Sequence, residues 1–365
     1  MGTCRICGAT SAFIGRELGV CLPCIRRTPD DALSVAREAH TRSRAAFGLA
    51  PRPPDDPEGA PCVECVNECR IPDNGFGYCG VRQNIGGKLT GVSSGKGKLS
   101  WYHDPLPSNC VADWVCPGWT GEGYPQFARC PGPEEGCANL AVFFHACTFD
   151  CLYCQNWQYR LRTFEPETSP PEALAARVDR WTTCICYFGG DPAAQLPFTL
   201  EASRAALERA RGRILRICWE TNGSMSGRLL DEMVEIALST GGCIKFDLKA
   251  WDLPLHRALC GVSNRPTLAN FEYVAGLIDR RPDPPLLIAA TCLVPGYVDA
   301  DQVGKIARFI AQHDPSIPYA LLAFHPAHEM DDLRPTSRQQ AQHCLEAAKA
   351  AGLTRVRIGN VHLLW

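Results

Sequence analysis

Three cysteines of His145-Ala146-Cys147-Thr148-Phe149-Asp150-Cys151-Leu152-Tyr153-Cys154 stand in C-x3-C-x2-C spacing on one short stretch of chain. A four-iron, four-sulfur cluster takes four thiolate ligands, so three from a single loop leave one iron open to a substrate or cofactor. The spacing therefore points to metal-centred chemistry with one coordination position held in reserve.

These three belong to an unusual total of 22 cysteines, 15 of which precede residue 155. Disulfide frameworks belong mainly to small secreted domains, whereas this chain has 365 residues and begins MGTCRICGAT, without a basic-then-apolar leader. Metal thiolate sites are the better explanation. Cys4-x2-Cys7 and Cys21-x2-Cys24 offer four sulfurs to one tetrahedral ion, a zinc-ribbon pattern, although a rubredoxin-type iron would use the same ligands. Cys62, Cys65, Cys69 and Cys79 lie among glycines suited to folding around a compact ligand and read as an auxiliary cluster or a zinc site. Cys110, Cys116, Cys130 and Cys137 are more widely spaced and read as a second auxiliary site. The other seven sit mostly in apolar runs such as TCICYF and read as ordinary buried cysteines.

The elements that must position these groups follow from hydrophobic patterning. Short apolar runs at 139–144, 183–188, 214–219, 243–246, 286–293 and 319–324 read as strands, with a further one at 354–358. Helical stretches lie between them, such as 170–181, capped by Ser169, and 200–210. Six successive strand-helix units imply parallel strands and right-handed crossovers, hence a barrel or an open doubly wound sheet. The fold class expected is α/β, a partial (β/α)6 parallel barrel with an N-terminal zinc-ribbon-like module and a cysteine-rich irregular region. Residues 1–49 hold the module and a helix begun by Thr28-Pro29, 50–61 a proline-rich exposed linker, 62–138 the cysteine-rich region, and 139–365 the barrel with a C-terminal extension.

Unusual polar groups recur just after these strands, where parallel barrels collect catalytic side chains. They are Gly189-Gly190-Asp191, Glu220-Thr221, Asp247-x-Lys249 and His325. Between them these segments supply carboxylates, a lysine and a histidine.

Together with Tyr153 before the last cysteine, these segments resemble the radical S-adenosylmethionine superfamily, in particular the pyruvate formate-lyase activating enzymes. Gly77-Tyr78-Cys79-Gly80-Val81-Arg82 and its cysteine-rich surroundings are similar to the AmmeMemoRadiSam-type subgroup. The likeness extends to Gly261-Val262-Ser263-Asn264 and Val294-Pro295-Gly296-Tyr297. Asp191 stands where a glutamate is more usual, and Glu220 where an aspartate is. The resemblance implies that Cys147, Cys151 and Cys154 hold a [4Fe-4S] cluster. It further implies that Tyr153, Gly189, Gly190, Asp191, Glu220, Thr221, Asp247, Lys249 and His325 contact S-adenosylmethionine, and that flavodoxin or ferredoxin supplies electrons. Reductive cleavage would give a 5'-deoxyadenosyl radical that abstracts hydrogen from a glycyl-radical enzyme. Modification of a small molecule or peptide with help from auxiliary clusters is the alternative, and a zinc-binding scaffold without redox chemistry a third.

Composition excludes other classes. Lys and Arg number 37 against 39 Asp and Glu, a formal charge of -2, which argues against nucleic acid or an anionic membrane as partner. The longest largely apolar stretch, 286–294, falls far short of the ~20 residues a membrane helix needs, so a cytoplasmic protein is expected.

Overall fold

The computed structural model of the chain describes residues 1–108 and 110–365. Eight strands form one sheet. In chain order they are β1 (Leu99–Pro105), β2 (Ala138–Phe144), β3 (Thr182–Phe188), β4 (Arg216–Thr221), β5 (Ile244–Asp247), β6 (Leu287–Leu293), β7 (Tyr319–Ala323) and β8 (Val356–Gly359). Each strand lies beside its neighbours in sequence, with β1 and β8 at the two edges. From β2 to β8 every pairing is parallel, and β1 runs antiparallel to β2. Helices α1 (Pro29–Ala45), α2 (Leu196–Ala210), α3 (Gly227–Thr240), α4 (Leu253–Cys260), α5 (Arg265–Ala275), α6 (Ala300–His313) and α7 (Arg338–Ala350) complete the main elements. This neighbour-to-neighbour order is that of a sheet wound in one direction, with crossovers on one face.

Strand alternation divides the two faces cleanly. Ile185 and Tyr187 of β3, Ile217 and Trp219 of β4, and Ile244 and Phe246 of β5 point toward the helices and are fully buried. Each such side chain contributes roughly 1.5–3 kcal/mol by leaving water. The Trp219 indole nitrogen also donates to the Thr199 hydroxyl of α2 at 3.2 Å. The alternate residues, Cys186, Cys218, Glu220, Lys245 and Asp247, face the other way, so the concave side carries the polar and sulfur groups.

All seven strands expected from the apolar runs are present. The irregular region additionally supplies β1, whose exposed polar positions hid its pairing with β2. One expectation is corrected. The helix expected at 170–181 spans only Pro171–Ala175. Ser169 pairs with Gly97 through backbone bonds of 2.8 and 2.9 Å instead of capping it, and the Asp179 side chain accepts from the backbone N–H of Trp181 and Thr182, turning the chain into β3. The 50–61 segment is mostly exposed, as its prolines and acids suggest, and is pinned by Arg70. Arg70 donates its backbone N–H to Pro54 (2.8 Å) and its guanidinium to the Asp56 carbonyl (2.9 Å), while Asp56 donates back to Arg70 (3.1 Å).

At the N-terminus, the Sγ atoms of Cys4, Cys7, Cys21 and Cys24 all lie within 4.8 Å of one another. Tyr297 ties this cluster to the sheet: its hydroxyl donates to the Val20 carbonyl (2.9 Å) and accepts from Gly15 (3.0 Å). The Val294-Pro295-Gly296-Tyr297 segment thus serves the N-terminal module. Among the described residues, no helix is long and apolar enough to cross a membrane.

Candidate functional site

The loop after β2 brings Cys147, Cys151 and Cys154 to one cavity of about 410 Å³ at the C-terminal ends of the strands. Its backbone is fixed by Asp150 and Leu152, which donate to the carbonyls of Cys260 (3.0 Å) and Leu259 (2.9 Å) at the end of α4. Asn222 donates to the Thr148 hydroxyl at 2.8 Å, and Asn67 to the Thr148 carbonyl at 2.8 Å. The sulfurs are thereby left to face the cavity. Among the described residues, only Cys4, Cys7, Cys21 and Cys24 meet the close spacing of a single ion. The wider spread of Cys147, Cys151 and Cys154 suits separate irons of a cluster, which keeps its thiolates farther apart than one tetrahedral ion does. Burial pushes the Cys154 thiol up to about 11.

Gly189 and Gly190 follow β3 with φ of +63° and +52°. A side chain on Gly190 would collide with the carbonyls of Phe144 and Ala146, the residues that lead into the cysteine loop. Asp191 donates its backbone N–H to Ala146 at 2.7 Å. Its carboxylate accepts from Ala193 N–H (2.7 Å), the Thr221 hydroxyl (2.9 Å) and Asn222 N–H (2.6 Å), which fixes its direction on the cavity wall. Burial pushes this carboxyl up to about 6, so a cationic group beside it would stabilise its charged form. Lys249 also lines the cavity, with Nζ 2.6 Å from Asp247. The Tyr153 hydroxyl on the same wall is buried and, among the described residues, has no hydrogen-bond partner. Three thiols, a buried carboxyl, a lysine and an orphaned hydroxyl around one hollow fit a sulfur-ligated cluster with an amino-acid-bearing ligand beside it.

Replacing Gly190 by alanine is expected to weaken iron retention about 5- to 150-fold through strain of ~1–3 kcal/mol where the two loops meet. Circular dichroism should show the fold retained. Full iron retention by Gly190→Ala would show that this contact does not hold the cysteine loop.

One feature of the loop escaped the sequence. Asp150, between Cys147 and Cys151, has a fully buried carboxylate that bonds His40 Nδ1 at 2.7 Å and Arg160 at 2.8 Å, with Arg44 at 3.7 Å. His40 and Arg44 come from α1, so the N-terminal helix is clamped to the cysteine loop by charge. Burial opposes ionisation of Asp150, but the His40 hydrogen bond and the arginines outweigh it and hold the carboxyl at about 2. The spacing of His40 and Arg44 four apart on one face of a helix was the available signal.

Other expected contacts fall elsewhere. Thr221 points to the helix side of β4 and reaches the cavity only through Asp191. Glu220 lines the cavity but is engaged by Lys245 at 2.9 Å. His325 is exposed and lies in a neighbouring hollow with Phe47, Trp157 and His328. Phe324 is fixed by its N–H bond to the Thr336 hydroxyl (2.8 Å), and the chain turns outward after it. The Cys62, Cys65, Cys69 and Cys79 quartet sits beside the cysteine loop: Asn67 touches Thr148, and Cys79 packs against the apolar cluster that contains Ala146. The second quartet is not a unit. Cys110 and Cys116 turn into the sheet, whereas Cys130 donates to the Gly132 carbonyl (3.2 Å) and Cys137 meets Arg129 (3.2 Å). Wide spacing in sequence says nothing about which strands each cysteine meets.

Residues 141–310 match the family described as the Radical SAM superfamily. An uncharacterized protein of Methanocaldococcus jannaschii is 26% identical over 309 residues, covering 82% of this chain and 81% of its own length. The pyruvate formate-lyase 1-activating enzyme of Escherichia coli is 24% identical over 232 residues, 59% of this chain and 89% of that enzyme. A solved domain of a pyruvate-formate lyase-activating enzyme from Bacteroides vulgatus superposes with a TM-score of 0.38 at 20% identity, covering 48% of this chain and 98% of that one.

Proposed function

We propose, from the premise that the chain carries a radical SAM domain over residues 141–310, that this enzyme abstracts hydrogen from a substrate in the manner of the glycyl-radical activating enzymes. Cys147, Cys151 and Cys154 would hold a [4Fe-4S] cluster, with S-adenosylmethionine at the iron they leave open. When bound, the pair supplies a one-electron cleavage that yields methionine and a 5'-deoxyadenosyl radical. The protein's residues would place and shield it: Lys249 would meet the cofactor's carboxylate and Asp191 its ammonium, while the Gly189-Gly190 turn keeps the two loops in contact. The convergence of three thiols, Asp191 and Lys249 on one cavity carries this reading. A flavodoxin or ferredoxin is the proposed electron donor.

Anaerobic reconstitution followed by dithionite and S-adenosylmethionine should give 5'-deoxyadenosine, and its absence from fully iron-loaded protein would refute the reading. Lys249→Met should weaken S-adenosylmethionine binding about tenfold or more without loss of iron, since a charged hydrogen bond is worth ~1.5–3 kcal/mol. Unchanged binding would remove Lys249 from the site.

One observation favours a second reading, action on a small molecule or narrow peptide. Arg357 of β8 pairs with Asp113 at 2.6 Å, joining one sheet edge to the turn that carries Cys110 and narrowing the entrance for a folded loop. A peptide with α-deuterated glycine separates the two: deuterium in 5'-deoxyadenosine supports the activase reading, and cleavage without transfer supports the second. In either case, Cys4, Cys7, Cys21 and Cys24 would hold a structural zinc, and Cys62, Cys65, Cys69 and Cys79 an auxiliary cluster or a further zinc. Cys24→Ser is expected to lose about one zinc per chain while retaining S-adenosylmethionine cleavage. Unchanged zinc content would refute the first of these assignments.

A further inference from the structure

The N-terminal ends of the strands gather positive charge that the cavity chemistry above does not use. A separate hollow of about 400 Å³ opens there, lined by Arg129, Arg180 and Arg213 together with Tyr124, Thr182 and Thr183. Among the described residues, no Asp or Glu lines it. The arginines come from three segments: Arg129 precedes β2, Arg180 lies in the turn into β3, and Arg213 in the turn into β4. All three meet at the 179–181 turn. Arg213 donates to the carbonyls of Asp179 (2.8 Å) and Ala210 (3.1 Å), and Arg129 to the carbonyl of Arg180 at 3.4 Å. The Arg180 guanidinium lies 4.8 Å from the centre of the Trp181 ring.

Exposed arginines elsewhere stand against carboxylates, as Arg5 does with Glu38, Arg162 with Glu165 and Arg280 with Glu235. The acids nearest the hollow are already committed. The Asp179 carboxylate accepts from the backbone N–H of Trp181 (2.8 Å) and Thr182 (3.0 Å) and from the Thr182 hydroxyl (2.9 Å). Glu134 takes two bonds from Arg216 (2.8 and 2.7 Å) and one from the backbone N–H of Arg129 (2.8 Å). Three like charges around one hollow repel one another, a cost that an anion between them removes. Tethering of the chain explains Arg213, which holds two carbonyls. It does not explain Arg180, which among the described residues donates no side-chain hydrogen bond. Guanidinium forks directed from three segments suit a phosphate group, whose oxygens point in several directions, better than a planar carboxylate with two.

We propose that this hollow binds a phosphate-bearing small molecule, held by Arg129, Arg180 and Arg213. β3 is seven residues long, so at ~3.3 Å per residue about 20 Å separate this end of the sheet from the cysteine loop. The occupant is therefore distinct from the substrate of the radical chemistry and from its cofactor.

The full-length protein, purified anaerobically with its metals, is titrated calorimetrically with sodium pyrophosphate and with sodium chloride at matched ionic strength. One pyrophosphate per chain, bound more tightly than about 1 mM, is the expected result. Arg180→Gln and Arg213→Gln should each weaken binding about tenfold or more, because each removes charge-assisted hydrogen bonds to the anion. Arg265→Gln, at an exposed arginine on α5, should leave it unchanged. Arg180→Gln removes no hydrogen bond of the folded chain, so its unfolding midpoint without pyrophosphate should match that of the wild type. A response to pyrophosphate no larger than to chloride, or equal binding by wild type and Arg180→Gln, would overturn the proposal. Tighter binding of a hexaglutamate peptide or a single-stranded oligonucleotide than of pyrophosphate would also overturn it, by marking the patch as a docking surface for a macromolecule. None of these readouts depends on S-adenosylmethionine cleavage.

Discussion

Cys147→Ala is expected to abolish formation of 5'-deoxyadenosine and to remove about four iron per chain. The Cys147 sulfur sits where the loop leaves β2, accepts from Phe149 N–H at 3.4 Å and lies 3.8 Å from the Asn222 amide. Among the described residues, no second thiol is in hydrogen-bond contact with it. At Cys151 the situation differs, because the Cys260 sulfur lies only 3.6 Å away and is the neighbouring thiol best placed to substitute. Cys151→Ala should therefore retain some iron that the Cys151→Ala, Cys260→Ala double variant loses, whereas neither should restore cleavage at the wild-type rate. Iron and sulfide analysis with chromatographic assay of 5'-deoxyadenosine checks both. Full cleavage by Cys147→Ala would remove this loop from the chemistry.

Asp150→Ala is expected to destabilise the folded chain by about 3–5 kcal/mol, because it strands buried cations that had one shared counter-ion. His40, Arg44 and Arg160 all converge on this carboxylate, and the Arg44 and Arg160 side chains are only 1% exposed. The loss should appear as a lower midpoint of denaturant unfolding and as faster amide exchange in α1, which contributes His40 and Arg44. Asp150→Asn keeps an acceptor but no charge and should fall between. The acid dependence has a defined sign. A carboxyl held at about 2 in the folded chain contributes stability that is fully present above its ordinary range near ~4 and is lost as pH falls through about 2. That part of the acid-induced loss should be missing in Asp150→Ala. A stability change under about 0.5 kcal/mol would show that the network is replaceable.

Strand positions were legible because buried parallel strands write themselves as short apolar runs, and TCICYF and LLIAATCL do so plainly. The cysteine loop and the Gly189-Gly190-Asp191 turn were legible because local spacing fixes local geometry. Contacts set by register were not. Cys184, Cys186, Cys218 and Cys243 read as isolated buried residues, although their shared face follows from alternation once the strands are paired. Glu220 and Thr221 adjoin in sequence but point to opposite faces of β4, so they could not act as a pair on one ligand. His325 follows a strand as expected, yet the turn held by Thr336 carries it outward. Ser169 matched a capping pattern that its backbone pairing with Gly97 overrides.

Electron-nuclear double resonance on the reduced protein, mixed with S-adenosylmethionine labelled with nitrogen-15 in its amino group, asks most directly whether Cys147, Cys151 and Cys154 leave one iron to that ligand. A nitrogen hyperfine coupling at the cluster, absent in Cys147→Ala, is the predicted result. A fully loaded, reduced cluster whose spectrum does not change on adding S-adenosylmethionine would contradict it.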